Sequence, residues 1–154
     1  MNIGLNILEN VRISIGDSTN NIINKLKNSG INYKIISNKF NTIDNYVIYI
    51  DKYGLEINSE NDNIIMIKIV NSNLNRLITV DSNNPIEMLN KIKNKIKELF
   101  DIQDERLINI YRFNSISSSS VVTIPYNENS NVTLNLVRGY DDAIYIEKIK
   151  VVKK

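Results

Sequence analysis

The chain has 154 residues, of which 19 are Lys or Arg and 17 are Asp or Glu, and it contains no His, Cys or Trp. This length suits one domain or two very small ones with a core that needs no disulfide or metal, and the net charge of +2 is too small to indicate a nucleic-acid or membrane surface. Because zinc sites, thiol nucleophiles, catalytic triads and imidazole acid–base groups need Cys or His, we expect a protein that is not an enzyme, has no metal site and binds no cofactor.

The first half of the sequence predicts a strand, a short helix and a meander of strands. Val11–Ile15 alternate apolar and polar residues, and Gly16-Asp17-Ser18 form a turn and a helix cap. A helix of about three turns follows and ends near Gly30, since glycine commonly closes a helix. Turn residues at 51–54 and 61–63 then separate segments rich in β-branched and aromatic residues, which are Tyr33–Ile36, Tyr46–Ile50, Leu55–Ile57 and Ile64–Val70.

The second half predicts the same order of elements. A strand over Leu77–Val80 precedes a helix whose cap is Asn84, with Pro85 at the first helical position and Glu87 placed as in a capping box. The apolar stripe expected on this helix comprises Ile86, Leu89, Ile92, Ile96 and Leu99, with Phe100 beside it. Four strands complete the half, at Arg106–Phe113, Val121–Tyr126, Val132–Arg138 and Ile144–Val152.

The two halves also resemble each other in sequence. Asp62–Ile69 and Asp142–Ile149 share Asp, Ile, Lys and Ile at a constant offset of 80. An internal repeat of this kind predicts a duplicated unit, although a chain so rich in Ile, Lys and Asn could align as well by composition. We therefore expect an α+β fold of two similar units, each one helix packed on an antiparallel meander sheet, over residues 1–72 and 73–154, either separate or merged in one compact domain.

This layout resembles the small α+β module of SmpA/OmlA-type lipoproteins, and a tandem copy of it is similar to the β-lactamase inhibitor protein family. The resemblance is strongest in the first half, from Ile13-Ser14-Ile15-Gly16-Asp17-Ser18 through Tyr53–Ile57 to Ile64–Ile69. It implies a sheet with one face available for contact with another protein. The disulfides of the inhibitors and the lipidated Cys of the lipoproteins have no counterpart here, and no functional motif matches, so the resemblance transfers neither activity nor site residues.

The N-terminus and the hydropathy of the chain indicate a soluble protein. Residues 1–6 lack a basic segment followed by an apolar stretch of signal-peptide length, and no run approaches 18 apolar residues. We expect a cytoplasmic location and no membrane contact.

Candidate ligand-binding residues lie where arginine adjoins aromatic residues. Lysine outnumbers arginine 14 to 5, so each arginine is an exception in a composition that favours lysine. Unlike lysine, the arginine guanidinium can form two parallel hydrogen bonds to a phosphate or carboxylate. Arg112 lies between Tyr111 and Phe113, and Arg138 precedes Gly139-Tyr140, with Tyr126 on the adjoining strand. These four residues, Arg112, Tyr126, Arg138 and Tyr140, are the candidate contacts for an anion, although an edge arginine that covers apolar surface with its stem would look the same.

Tyrosines that alternate with buried residues are the candidates for a protein interface. Tyr49 should point away from Ile48 and Ile50, and Tyr145 away from Ile144 and Ile146. Tyrosine suits a position with one dry and one wet end, although it is also a common strand residue. Paired carboxylates could hold a divalent cation, but Asp101, Asp104 and Glu105 follow a helix end and lack the spacing of a calcium loop, and those at 141–142 lie in a predicted hairpin turn. We therefore expect a structural role for both groups.

Two function classes fit these features. The first is a non-enzymatic protein that covers a partner protein, of the inhibitor or immunity-protein type, as in conflict between bacteria and phages. The alternative is a binder that sequesters a small anionic metabolite or nucleotide through Arg and Tyr. The sequence favours the first class. It does not favour nucleic acid as a partner, and it leaves homo-oligomerisation open.

Overall fold

The computed structural model describes residues 3–38, 45–81, 84–111 and 119–154. Strands account for 51% and helices for 26% of these residues, and the strands within each unit pair antiparallel. The prediction of an α+β fold, with two units that each pack one helix on a meander, is therefore wrong, and the protein is mostly β. The physical reason is that strand pairing continues through polar positions that the sequence pattern assigned to loops.

The chain divides into two compact units, Ile3–Leu74 and Asn75–Lys154, which are described separately. The first unit contains six strands and helix α1 (Thr19–Asn28), and the four-residue helix α2 (Ser72–Asn75) follows its last strand. The strands are β1 (Gly4–Leu8), β2 (Val11–Ser14), β3 (Lys34–Asn38), β4 (Asn45–Ile50), β5 (Leu55–Glu60) and β6 (Asn63–Ile69).

Strands β1 and β2 form a two-stranded antiparallel sheet of their own. Strand β1 was not predicted, although Ile3, Leu5 and Ile7 are buried and alternate with an exposed Asn6, the pattern of a half-buried strand. Gly4 permits the close approach of the two strands, because a Cβ atom at this position would lie 2.1 Å from the carbonyl oxygen of Ile13.

Local sequence signals fix the ends of α1 and the turns of the meander. The Ser18 side chain accepts a hydrogen bond from the Asn21 N–H at the start of α1, as predicted. Strands β3 to β6 pair antiparallel in chain order. Asn61 and Asp62, between β5 and β6, both have positive φ, which is the geometry of a two-residue type I′ hairpin turn.

The second unit contains β7 (Arg76–Thr79), helix α3, and four further strands. In the sheet, β10 lies between β9 and β11, β8 pairs with β9, and β7 pairs with β11, all antiparallel. The elements are α3 (Pro85–Phe100), β8 (Asn109–Tyr111), β9 (Ser119–Asn127), β10 (Ser130–Arg138) and β11 (Ala143–Lys153).

Helix α3 begins as predicted but buries a different stripe. Asn84 accepts hydrogen bonds from the N–H groups of Ile86 and Glu87, with Pro85 in the first turn. The buried residues are Met88, Ile92, Ile96 and Phe100, spaced four apart, whereas Ile86 is 71% exposed. Of the five residues of the predicted stripe, only Ile92 and Ile96 are therefore fully buried, together with Phe100, which was predicted to lie beside it.

Within the described residues, no helix has the length and apolar character needed to cross a membrane.

Candidate functional site

The turn between β10 and β11 contains two of the four candidate ligand-binding residues. The Arg138 guanidinium lies 3.3 Å from a carboxylate oxygen of Asp142, and the Arg138 side chain is only 29% exposed. Tyr140 is fully exposed at the tip of the turn. An anion at this turn would have to displace the Asp142 carboxylate from Arg138, so the local electrostatics favour a structural ion pair at this position.

A second polar group stabilises the same turn. The Tyr145 hydroxyl donates a hydrogen bond to the Asp141 carboxylate, which also accepts from the Ala143 N–H at 3.2 Å. The bond from Tyr145 holds the pKa of Asp141 below its usual value and raises the pKa of Tyr145. Gly139 leaves room for the Tyr145 ring, since a Cβ atom there would lie 2.7 Å from it. The hydroxyl of Tyr145, a predicted interface residue, is thus engaged within the protein.

The other two candidates do not join this turn. Tyr126 lies near the opposite end of β10, where Pro125 pairs with Asn131 and Asn127 with Ser130. Seven to eight residues of strand separate that end from Arg138, a distance of about 25 Å. Arg112 lies outside the described residues. The structure therefore brings Arg138 and Tyr140 together and places Tyr126 elsewhere.

Tyr49, the other predicted interface residue, lies on the outward side of the four-stranded meander. Ile48 and Ile50 on its strand are fully buried, and Tyr49 is half-buried, so the strand alternates as its sequence predicts. We call the outward residues of β3 to β6 the outer face. Two rows cross it in register, and they are Lys34, Tyr49, Glu56 and Lys68, and Ile36, Val47, Asn58 and Met66.

The outer face is more apolar than a solvated sheet face requires. An antiparallel sheet with one buried face normally presents polar side chains on the other. Here the second row carries Ile36, Val47 and Met66, and Ile36 is 56% exposed. Hydrophobic side chains gathered on an otherwise polar surface are typical of a contact site.

Strand β3 forms the edge of the meander. In the described part of the chain it pairs with β4 alone, so one side of its backbone has no strand partner there. Ile35 is 39% exposed and Ile36 is 56% exposed, one on each face of the strand. We call Lys34–Asn38 the β3 edge. The β3 edge was not predicted as a site, and its signal in the sequence is a pair of adjacent isoleucines in a short strand that lacks strict alternation.

The carboxylate groups do not form a metal site among residues 3–38, 45–81, 84–111 and 119–154, where no three Asp or Glu side chains converge. Asp104 instead receives two hydrogen bonds of 3.0 Å from the Arg106 side chain and one from its N–H. These bonds lower the pKa of Asp104 and serve a short 3₁₀ turn, Glu105–Leu107. This geometry is consistent with the structural role expected for the group.

No family model, curated protein or solved structure matches this chain. The resemblance to the SmpA/OmlA-type module stays a prediction, and no residue acquires a role from a relative. A functional assignment therefore depends on the exposure, charge and pairing of the surfaces described above.

Proposed function

We propose that this chain is a non-enzymatic protein that binds a partner protein through the β3 edge and the adjoining outer face. The observation that carries the proposal is the pair of exposed isoleucines, Ile35 and Ile36, on a strand with one unpaired side among the described residues. Burying exposed apolar surface drives most protein association. An inhibitor or immunity protein acts in this way, by covering a surface of its partner.

The backbone of the β3 edge supports addition of a strand from the partner. An edge strand presents N–H and C=O groups that bond to water in the free protein and can bond to an extended segment in a complex. Such main-chain bonds supply affinity, and the side chains on either face supply selectivity. Ile36 and Val47 are cross-strand neighbours on the outer face, so an apolar side chain from the added strand would extend their row.

The charge at the start of the β3 edge specifies the partner further. Lys34 is 77% exposed and lies 3.6 Å from Asp51, which is 75% exposed. A pair this exposed contributes little to stability, so Lys34 is available to a carboxylate of the partner. The partner we propose therefore has an extended segment with an apolar residue opposite Ile36 and an acidic residue close to Lys34.

Affinity capture from the source organism's lysate, with the immobilised wild type and two variants, tests the proposal. Ile36→Lys places a charge on the edge, a substitution that natural edge strands use against pairing. Ile86→Lys is the matched control, because Ile86 is also an exposed isoleucine and lies on α3 in the other unit. We expect one protein to be retained by the wild type and by I86K and to be lost by I36K.

The urea midpoints of both variants should equal that of the wild type, and equal midpoints would show that both variants fold normally. Hydrogen exchange of the purified complex then locates the contact, and slowed exchange at Lys34–Asn38 is the expected result. Loss of the partner from I86K as well as I36K, or unchanged exchange in β3, would contradict the proposed interface.

A further inference from the structure

The first unit contains a cavity of about 580 Å³ at the end of the meander. Its walls come from the end of β1 at Leu8, the loop after α1, the beginning of β3, the end of β4 and the turn that follows. Cavities that hold small ligands measure about 300–1,000 Å³. The residues that define its chemistry are Tyr33, Tyr49, Tyr53, Lys34, Lys52 and Asp51.

Aromatic rings and ammonium groups meet in this cavity. The three tyrosines are all half-buried, so each ring is held by the protein and still reaches the cavity. The Lys52 ammonium lies 5.6 Å from the centre of the Tyr53 ring, within the range of a cation–π contact. Lys34 and Lys52 are positively charged and Asp51 is negatively charged, so the net charge of the cavity residues is +1.

The backbone holds these side chains in place. Tyr49 and Lys34 are cross-strand partners in the β3–β4 ladder. Gly54, which closes the turn carrying Lys52 and Tyr53, has φ of 59°, and a Cβ atom there would lie 3.0 Å from the Asn71 nitrogen. Glycine adopts a positive φ without strain and has no Cβ atom to contact the Asn71 nitrogen. The turn that forms this wall of the cavity therefore has a defined shape.

From this combination we infer that the cavity binds a small planar aromatic anion of the nucleoside monophosphate class. A base has a π-face that stacks on tyrosine, and a phosphate is attracted by lysine ammonium groups. Within the described residues Lys52 makes no ion pair with a carboxylate, so an anion need not displace one there. This site differs from the Arg138–Tyr140 turn, where Asp142 already pairs with the guanidinium.

Tyrosine fluorescence and calorimetry test the inference with adenosine, guanosine, cytidine and uridine monophosphates as probes. The chain has no Trp and eight Tyr, three of which line the cavity, so stacking there should quench a substantial part of the emission. We expect at least one monophosphate to bind, with weaker binding at higher salt because the attraction is ionic. The parent nucleoside and inorganic phosphate should each bind at least about tenfold more weakly, since each lacks one of the two interactions.

Variants locate the site. Lys52→Gln and Tyr33→Leu should each weaken binding by about tenfold or more, whereas Tyr33→Phe keeps the ring and should bind as the wild type does. The matched controls are Lys27→Gln, an exposed lysine of the same unit, and Tyr140→Leu, both of which should leave binding unchanged.

Three results would overturn the inference. They are the absence of quenching and heat with every monophosphate at millimolar concentration, equal binding of inorganic phosphate or nucleoside, and loss of binding in Arg138→Ala while K52Q retains it. Lys34 and Tyr49 belong to both surfaces, whereas Ile36 does not line the cavity and Lys52 and Tyr33 are not on the outer face. The I36K experiment therefore tests the β3 edge, and the K52Q and Tyr33→Leu experiments test the cavity.

Discussion

The hydrogen bond from the Tyr145 hydroxyl to the Asp141 carboxylate links the stability of the β10–β11 turn to pH. Folding lowers the pKa of Asp141 from 3.8, so the contribution of this carboxylate is present above that pH and is lost as the pH falls below it. Folding raises the pKa of Tyr145 from 10.0, so its contribution is present below that pH and is lost as the pH rises above it. The bond therefore stabilises the turn throughout the neutral range.

Tyr145→Phe should lower the urea midpoint at neutral pH, because it removes the donor and leaves the ring. The difference from the wild type should stay constant between the two unperturbed pKa values, 3.8 and 10.0, and shrink beyond either one. Urea titrations from acid to alkaline pH measure it. Tyr126→Phe serves as the control, since no hydrogen bond to its hydroxyl is found in the described region. A Y145F difference that does not change with pH would contradict the linkage.

The same turn explains what could be predicted for single side chains. Arg138 and Tyr140 adjoin in sequence, so their proximity was predictable. The closure of the turn at Gly139–Asp142 also brings Asp142 to Arg138, and that competing carboxylate follows from backbone geometry. The sequence shows which residues have the appropriate chemistry. It does not show that the Asp142 carboxylate already pairs with Arg138.

Helix α3 shows why a helix can be predicted well while its buried face is not. Its start at Asn84 and Pro85 depends on local backbone bonds, and those are encoded in adjacent residues. Its buried face depends on the position of the core, and apolar residues flank the true stripe on both sides. Ile92 and Ile96 belong to both alternatives, whereas Ile86 belongs only to the predicted one.

Ile92→Ala should lower the free energy of unfolding by about 2–5 kcal/mol, because it removes a fully buried side chain. Ile86→Ala, the same substitution at a position that is 71% exposed on the same helix, should change it by no more than about 0.5 kcal/mol. Denaturant midpoints with a common m-value give both numbers. Equal losses at the two positions would mean that the buried face has been assigned incorrectly.

Strands and turns of the meander were predictable because their signals are local. Asn61 and Asp62 tolerate positive φ, and the apolar positions on either side set the register. Strand β1 was missed although its alternation is plain, because its five residues precede the first recognised turn signal. The second unit's strands extend beyond their predicted ends for a different reason: paired neighbours hold polar residues such as Ser119 and Asn127 in the ladder.

For the molecule as a whole, the order of elements did not determine the fold class. Pairing partners such as β7 with β11 are distant in sequence, and the sheet to which each strand belongs depends on such pairs. The position of an exposed edge depends on the same pairings. The sequence therefore does not show which strand forms the β3 edge, and the structure does.

The β3 edge also affects how the free protein behaves at high concentration. Lys34 is the only charged residue among Lys34–Asn38, and charged side chains are the usual protection of an edge strand against pairing with another chain. Two copies that meet edge to edge could continue their sheets into each other. In solution without its partner, the protein should therefore show weak reversible self-association.

Sedimentation velocity over a hundredfold concentration range should show the mean sedimentation coefficient of the wild type rising with concentration. Ile36→Lys should remain monomeric over the same range, and I86K should follow the wild type. A wild type that stays monomeric throughout would mean that the edge does not accept a strand from another copy. If the expected behaviour is found, the partner would act as a solubilising chaperone for this protein as well as its target, and co-expression of the two would raise the yield of soluble material.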